Sequence, residues 1–134
     1  MNILYAGSPD ISAKVLEDLC ELTKESPDFN IVGVLTNPPS AKGRHKELIP
    51  TEVAQSAIKY NIPVLEPEKL DAELREKVAA LNPDILVCFA YGKIFGPKFM
   101  ALFPQGGINL HPSLLPKYRG CAPVPAAILN QEEE

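Results

Sequence analysis

An asparagine and a histidine separated by one residue are the side chains best suited to chemistry in this sequence. Asn109 and His111 close a short apolar segment, and the side chains of a strand alternate between its two faces. Both should therefore point to one face, with Cα atoms about 6 to 7 Å apart. An amide can donate to an oxygen that gains negative charge, and an imidazole can exchange a proton near neutral pH. The pair suits attack on a carbonyl carbon, although a structural role at a strand end explains the same two residues.

The elements that must position this pair alternate along the chain. Apolar, β-branched runs predict strands over 2–6, 30–36, 62–65, 84–90 and 108–110. Helices are expected between them, including 51–60 and 98–102, with apolar faces at Ile11, Val15, Leu19 and Leu22 and at Leu70, Leu74, Val78 and Leu81. Ser8 is expected to cap the first helix, with Pro9 in its first turn.

Such alternation predicts an α/β fold with a doubly wound, mostly parallel sheet. Open sheets of this kind bind ligands beyond the carboxyl ends of their strands, where Asn109 and His111 lie. Residues 37–50, with three prolines, one glycine and four basic side chains, predict a long loop. A binding role and a merely solvated basic loop are both compatible with that composition.

Composition excludes several classes of function. The chain has 134 residues and a formal charge of -4, which predicts one domain and argues against nucleic-acid binding by phosphate neutralisation alone. Neither the two histidines nor the three cysteines have the spacing of a metal site. The turn after the first strand lacks a dinucleotide fingerprint. With no bilayer-length apolar run and no leader pattern at the start, a cytoplasmic protein with reduced thiols is expected.

The segment 109–120, NLHPSLLPKYRG, closely resembles the signature of the folate-dependent formyltransferases. The resemblance extends to AGSPD at 6–10, the basic loop with Gly43, Arg44 and Lys46, AYG at 90–92 and RGCAP at 119–123. It implies a Rossmann-like formyltransferase fold. The first turn and the basic loop favour members that act on methionyl-tRNA. Members that act on glycinamide ribonucleotide or on sugar amines, and formyl-folate hydrolase domains, share the N-x-H-P-S-L-L-P block and are the alternatives.

The resemblance also implies a reaction and the residues that perform it. A formyl group would pass from 10-formyltetrahydrofolate to the α-amine of methionine on initiator tRNA, a step of translation initiation, with no metal. Asn109 would hydrogen-bond the formyl oxygen, and His111 would manage the proton and charge of the intermediate. Arg44 and Lys46 would approach the tRNA. The residues expected at the donor site are Phe89, Tyr91, Gly92, Ser113, Leu114, Leu115 and Pro116.

Family members also carry a catalytic Asp downstream of the N-x-H motif and a basic C-terminal barrel that binds tRNA. Residues 1–134 include neither, so they are expected to form the N-terminal part of the catalytic domain, incomplete at its C-terminus and inactive alone. The edge of an unfinished sheet predicts an edge-paired or swapped dimer of this fragment. A non-catalytic folate-binding or interaction module is the alternative of another class.

Overall fold

The protein folds around a five-stranded parallel sheet. The computed structural model describes residues 1–42 and 47–110. The strands of the sheet are β1 (Asn2–Ala6), β2 (Asn30–Leu35), β5 (Val64–Leu65), β6 (Ile85–Cys88) and β7 (Gly107–Asn109). Their order is β5-β2-β1-β6-β7, and every neighbouring pair is parallel. The helices are α1 (Asp10–Glu25), α2 (Glu52–Lys59), α3 (Ala72–Ala80) and α4 (Pro97–Met100).

Helices cover both faces of this sheet, which confirms the doubly wound α/β fold. Alternate side chains of β1 enter two separate cores, so that Tyr5 packs with α1 and α2 while Leu4 packs with α3 and α4. Leu74 and Val78 of α3 are buried as the periodicity predicts. The caps of α2 and α3 are provided by Thr51 and Asp71, whose side chains accept from main-chain N–H groups three residues later.

The strand order fixes where a ligand can enter. From β1 the chain moves outward through β2 to β5, then returns to the other side of β1 to form β6 and β7. The connections after β1 and β6 therefore diverge to opposite sides and leave a crevice between them at the carboxyl ends of the two strands. The fold thus places residues 7–9, 89–92 and Asn109 at one edge of the sheet.

The start of α1 differs from the prediction. Pro9 occupies the N-cap position, and α1 has no side-chain cap. Ser8 lies one residue too early, and its hydroxyl is instead engaged by Asn37. The capping role predicted for Ser8 is wrong for this reason.

The buried face of α1 also differs from the predicted stripe. Val15 is buried, but Ile11 and Leu22 are 45% and 61% exposed. The side chains of Ser12 and Ala13 are buried instead, because their small size allows α1 to approach β1. The predicted apolar stripe is therefore rotated away from the sheet. Leu22 lies beside a groove of about 560 Å³ that is also lined by Val15, Leu19 and Leu110.

The predicted loop 37–50 contains two short antiparallel strands, β3 (Ser40–Lys42) and β4 (Glu47–Ile49). A strand of three residues is too short for alternating apolar and polar side chains to be recognised in the sequence. The prolines on both sides of this segment are also typical of a loop. The loop prediction is therefore wrong for these six positions. Within the part of the chain that the structure describes, no helix is both long and apolar enough to cross a membrane.

Candidate functional site at the carboxyl edge of the sheet

Asn109 lies at the end of β7, next to the end of β6. It pairs in register with Cys88, and the following N–H of Leu110 donates to the carbonyl oxygen of Cys88 at 2.8 Å. Leu110 packs against the core under α1 and α2, so alternation directs Asn109 to the other face. Its side-chain amide has no hydrogen-bond partner within residues 1–42 and 47–110. A strand-end amide with unused donors is thus available at this edge.

The turn after β6 has an unusual backbone. Ala90 and Gly92 both have positive φ angles, of 55° and 92°. Such a conformation is strained for alanine and persists where the surroundings hold it. The side chains of Phe89 and Tyr91 are buried, whereas Ala90 and Gly92 are exposed. A ligand at this edge would therefore meet the main chain of the turn and not the two aromatic rings.

Gly7 allows the turn to approach α1. A Cβ atom at this position would lie 2.6 Å from the carbonyl oxygen of Phe89 and would clash with the hydroxyl of Ser12. That hydroxyl donates to the Phe89 oxygen at 2.8 Å, and the N–H of Phe89 donates to Ala6. The absence of a side chain at Gly7 is thus what permits the contact between α1 and the end of β6.

A chain of hydroxyl groups joins the ends of β1 and β2 to the start of α2. The Ser8 hydroxyl accepts from both nitrogens of Asn37, at 3.2 and 2.8 Å, and lies 3.3 Å from the hydroxyl of Thr36. Because Ser8 accepts two hydrogen bonds, its hydroxyl hydrogen is available to Thr36, whose own hydroxyl lies 2.6 Å from that of Thr51. Thr51 accepts from Ala54 as the cap of α2. The chain of hydroxyl groups is thus continuous from Ser8 to the cap of α2.

The Asn37 side chain spans the crevice. Its amide nitrogen donates to the main-chain oxygen of Tyr91 at 3.0 Å, and its amide oxygen accepts from the ammonium group of Lys93. Lys93 also lies over the ring of Tyr91, 5.2 Å from its centroid. A single side chain therefore connects the segments that follow β1, β2 and β6.

The ring of Tyr91, in the middle of the turn, begins a row of aromatic rings. Tyr91, Phe95 and Phe99 are stacked in succession with centroid distances of 5.6 and 5.1 Å, and Phe103 continues the row at 5.3 Å. The hydroxyl of Tyr91 is buried and has no hydrogen-bond partner in the described part of the chain. This burial raises the pKa of Tyr91 above its usual value, with a smaller contribution from Cys88. The phenol is therefore neutral at physiological pH.

The sequence predicted part of this site and missed part of it. Asn109, Phe89, Tyr91 and Gly92 lie at the edge described above. His111, Ser113, Leu114, Leu115, Pro116, Arg44 and Lys46 fall outside the described residues.

Sequence reasoning missed Ser8, Asn37 and Lys93 as members of the site. A usable signal exists, since Ser8 and Asn37 are polar residues within two positions of the ends of parallel strands. No group of three or more histidine, cysteine or acidic side chains in residues 1–42 and 47–110 could hold a metal ion. What these residues offer a bound molecule is the Asn109 amide and the exposed main chain of the 90–92 turn.

The chain was compared with known protein families. The sequence pattern of the family described as formyl transferase matches residues 1–134, the whole chain. The chain therefore belongs to the formyl transferase family, as the resemblance of segment 109–120 implied.

Three curated relatives of the chain have the same name. A methionyl-tRNA formyltransferase of Treponema denticola is 49% identical over 96% of the chain and 41% of its own length. Proteins of the same name in Borreliella burgdorferi and Dictyoglomus turgidum are each 44% identical, over 97% and 100% of the chain and 40% and 41% of their own lengths. The chain thus spans about two fifths of the length of these relatives.

Solved structures share the fold. A glycinamide ribonucleotide transformylase from Geobacillus kaustophilus superposes with a TM-score of 0.63 at 16% identity, over 90% of this chain and 68% of that one. Its counterpart from Symbiobacterium toebii gives 0.62 at 19%, over 87% and 53%. At such identities the likeness establishes the Rossmann-like formyltransferase fold alone.

Proposed function

We propose that the complete protein transfers a formyl group from 10-formyltetrahydrofolate to the α-amine of methionine carried on initiator tRNA. The observation that carries the proposal is the position of Asn109 at the carboxyl edge of the sheet, where its side-chain amide has no hydrogen-bond partner among the residues that the structure describes. The name shared by relatives 44 to 49% identical supports this acceptor over glycinamide ribonucleotide or a sugar amine. A non-catalytic folate-binding module is not favoured, since the family match covers the whole chain.

The chemistry proposed needs one hydrogen-bond donor and one proton carrier. As the amine attacks, its nitrogen bonds to the formyl carbon and the bond from that carbon to N10 of the folate breaks. Asn109 donates to the formyl oxygen as negative charge develops on it. His111 takes the proton that the amine loses and returns it to the departing nitrogen. The family resemblance implies that an aspartate outside residues 1–134 orients this imidazole.

The donor is proposed to bind along the 89–92 turn and the segment after His111. A pteridine carries hydrogen-bond donors and acceptors along one edge, and the exposed main chain at Ala90 and Gly92 offers complementary groups. The residues proposed for this site are Phe89, Tyr91, Gly92, Ser113, Leu114, Leu115 and Pro116, the first two acting through their backbone.

The tRNA is proposed to approach the connection between β3 and β4, where Arg44 and Lys46 lie in the sequence. Guanidinium and ammonium groups neutralise backbone phosphates, and an arginine can also stack on a base. In the sequence, β3 begins three residues after Asn37, which lies at the carboxyl edge of the sheet.

The cytoplasm is the proposed compartment. Cys20 and Cys88 are buried and form no disulfide within residues 1–42 and 47–110, the state expected of thiols in a reducing environment. Burial, followed by the charges of Glu21 and Glu17, raises the pKa of Cys20 to about 11. The thiol of Cys20 therefore stays protonated and unreactive at neutral pH.

The proposal is tested on the complete gene product, supplied with 10-formyltetrahydrofolate and one of three acceptors: methionyl-tRNA, glycinamide ribonucleotide or an amino sugar nucleotide. We expect transfer to methionyl-tRNA alone. Asn109→Ala should lower kcat by about 10² to 10³, as loss of a donor to a developing oxyanion does. Asn30→Ala, at the opposite edge of the sheet, is the matched control. Folate binding without transfer to any acceptor would instead support the binding module.

Two further variants separate the parts of the mechanism. His111→Ala should abolish transfer while leaving the melting temperature unchanged, and wild-type turnover in it would remove His111 from the mechanism. Residues 1–134 expressed as a separate polypeptide should show no transfer, because the carboxylate implied by the family lies outside them. A rate near that of the complete protein would contradict that expectation.

A further inference from the structure

The Asn37 amide is the centre of a connection that the proposed reaction does not use. It donates to Ser8 at 2.8 Å and to the main-chain oxygen of Tyr91 at 3.0 Å. Its oxygen accepts from Lys93. The side chain is partly buried, so water competes only weakly for these groups. The Asn37 side chain therefore connects the main chain of Tyr91, by hydrogen bonds, to the segments that follow β1 and β2.

The orientation of that amide is determined by chemistry. An ammonium group has donors only, so the atom of Asn37 that faces Lys93 must be the oxygen. The nitrogen then faces the Tyr91 oxygen, which only accepts. Lys93 has no carboxylate partner in the described part of the chain and contacts the Asn37 oxygen and the Tyr91 ring. Lys93 thus keeps the amide in the one orientation that holds the turn.

The turn being held is strained. Ala90 and Gly92, on either side of Tyr91, both have positive φ angles. Phe89, which precedes them, is hydrogen-bonded to Ala6 and Ser12. The hydrogen bond from the Asn37 amide to the main-chain oxygen of Tyr91 is the tie that holds the centre of the turn. Strained backbone conformations persist only where contacts of this kind hold them, and they occur preferentially at ligand sites.

We propose that Asn37 is a positioning residue for the formyl donor: it acts through the main chain of the 90–92 turn, with Lys93 orienting its amide. This inference rests on the proposed function, which places the donor against that turn. Without the tie, the exposed backbone groups at Ala90 and Gly92 would lose their fixed spacing, and the donor would bind more weakly. Attack on the formyl carbon, once the donor is bound, would change little.

The test uses the complete gene product and variants at both ends of the tie. Asn37→Ala should raise the KM for 10-formyltetrahydrofolate, and the Kd for tetrahydrofolate measured by calorimetry, about tenfold, with kcat within about twofold. Asn37→Asp keeps an acceptor for Lys93 but directs a carboxylate oxygen at the Tyr91 oxygen, so its effect should be at least as large. Lys93→Met should raise the same constants less, and Lys93→Arg should restore them.

Asn2→Ala is the matched control. Its amide nitrogen donates to the main-chain oxygen of Asn82 at 2.9 Å, a bond of the same type at the amino edge of the sheet. Asn2→Ala should leave the KM and Kd unchanged. Equal KM values for Asn37→Ala and Asn2→Ala, in a wild type that transfers formyl groups, would overturn the positioning role and leave the proposed function intact.

Two other outcomes are also decisive. A wild type that neither binds tetrahydrofolate nor transfers a formyl group would overturn the proposed function and the positioning role together. Should Asn37→Ala fail to fold, the pair Lys93→Met and Lys93→Arg decides, because Lys93 is partly exposed and packs in neither core. A donor KM unchanged in both would then overturn the inference.

Discussion

The Ser12 hydroxyl in the first turn of α1 donates to the main-chain oxygen of Phe89, at 2.8 Å, immediately before the 90–92 turn. Tyr5 of β1 places its own hydroxyl 2.8 Å from both oxygens of Ser12. Ser12, Phe89 and Tyr5 are completely buried. The location of the turn is therefore fixed from inside the protein, by side chains that a ligand at the edge would not touch.

We expect Ser12→Ala to lower the free energy of unfolding by about 1 to 3 kcal/mol, because the buried Phe89 oxygen loses its hydroxyl donor. Urea denaturation of the complete gene product would measure the loss. Thr23→Val is the matched control, since its hydroxyl donates to the Cys20 oxygen at 3.0 Å from the same helix but at a partly exposed position. Equal losses in the two variants would contradict a special role for the buried bond.

Gly7→Ala should disturb the same contact by overcrowding. The new Cβ would lie 2.6 Å from the Phe89 oxygen, so α1 or the end of β6 must move. We expect a loss of about 1 to 3 kcal/mol in unfolding free energy, together with a higher KM for the donor. Gly96→Ala is the control, since no heavy atom of the described residues, apart from those of its chain neighbours, lies within 4 Å of its added Cβ. A stability of Gly7→Ala equal to that of the control would contradict the crowding argument.

The local sequence pattern was sufficient to predict much of the fold. β1 (Asn2–Ala6) has its predicted bounds, and Leu74 and Val78 of α3 are buried as their spacing of four predicts. Alternation of apolar strands with helices was enough to predict the parallel, doubly wound sheet. Such features depend on the residues of a single segment, which the sequence displays directly.

Features that depend on contacts between two segments were harder to predict from the sequence. The spacing of apolar residues in α1 predicts a buried stripe that omits Ser12 and Ala13, because their small size matters only once the sheet is in place. The sequence around Asn37 predicts a loop, since its partners Tyr91 and Lys93 lie more than fifty residues away. The position of Asn109 was predictable because it lies at the end of an apolar strand.

Residues 1–134 expressed as a separate polypeptide should self-associate. Within the described residues β7 pairs with β6 on one side only, and an unpaired strand edge can accept a strand from a second copy. Light scattering over a range of concentrations should show a dimer, formed by edge pairing or by exchange of strands. Asn109→Pro, which removes from β7 a main-chain N–H that faces away from β6, should weaken it. A mass of 14.6 kDa at every concentration would contradict this prediction.

The buried hydroxyl of Tyr91, which has no partner among the described residues, predicts a pH-dependent stability. Burial raises the pKa of this phenol above its usual value of 10. Above pH 10 the unfolded chain therefore loses a proton that the folded chain retains, so stability falls as the pH rises, by up to about 1.4 kcal/mol per pH unit. Tyr91→Phe lacks this contribution. Urea denaturation between pH 7 and 11 should show that the stability of the variant, relative to that of the wild type, increases above pH 10.

At pH 7 Tyr91→Phe should be more stable than the wild type by about 1 kcal/mol, because a buried hydroxyl without a partner is removed. Tyr60→Phe separates this effect from alkaline titration. The hydroxyl of Tyr60 donates to Glu21 at 2.7 Å on the surface, a bond that raises the pKa of Tyr60 to about 12. Tyr60→Phe should therefore also flatten the alkaline decline, yet gain nothing at pH 7. A loss of stability in Tyr91→Phe at pH 7 would mean that the Tyr91 hydroxyl has a partner in the complete protein.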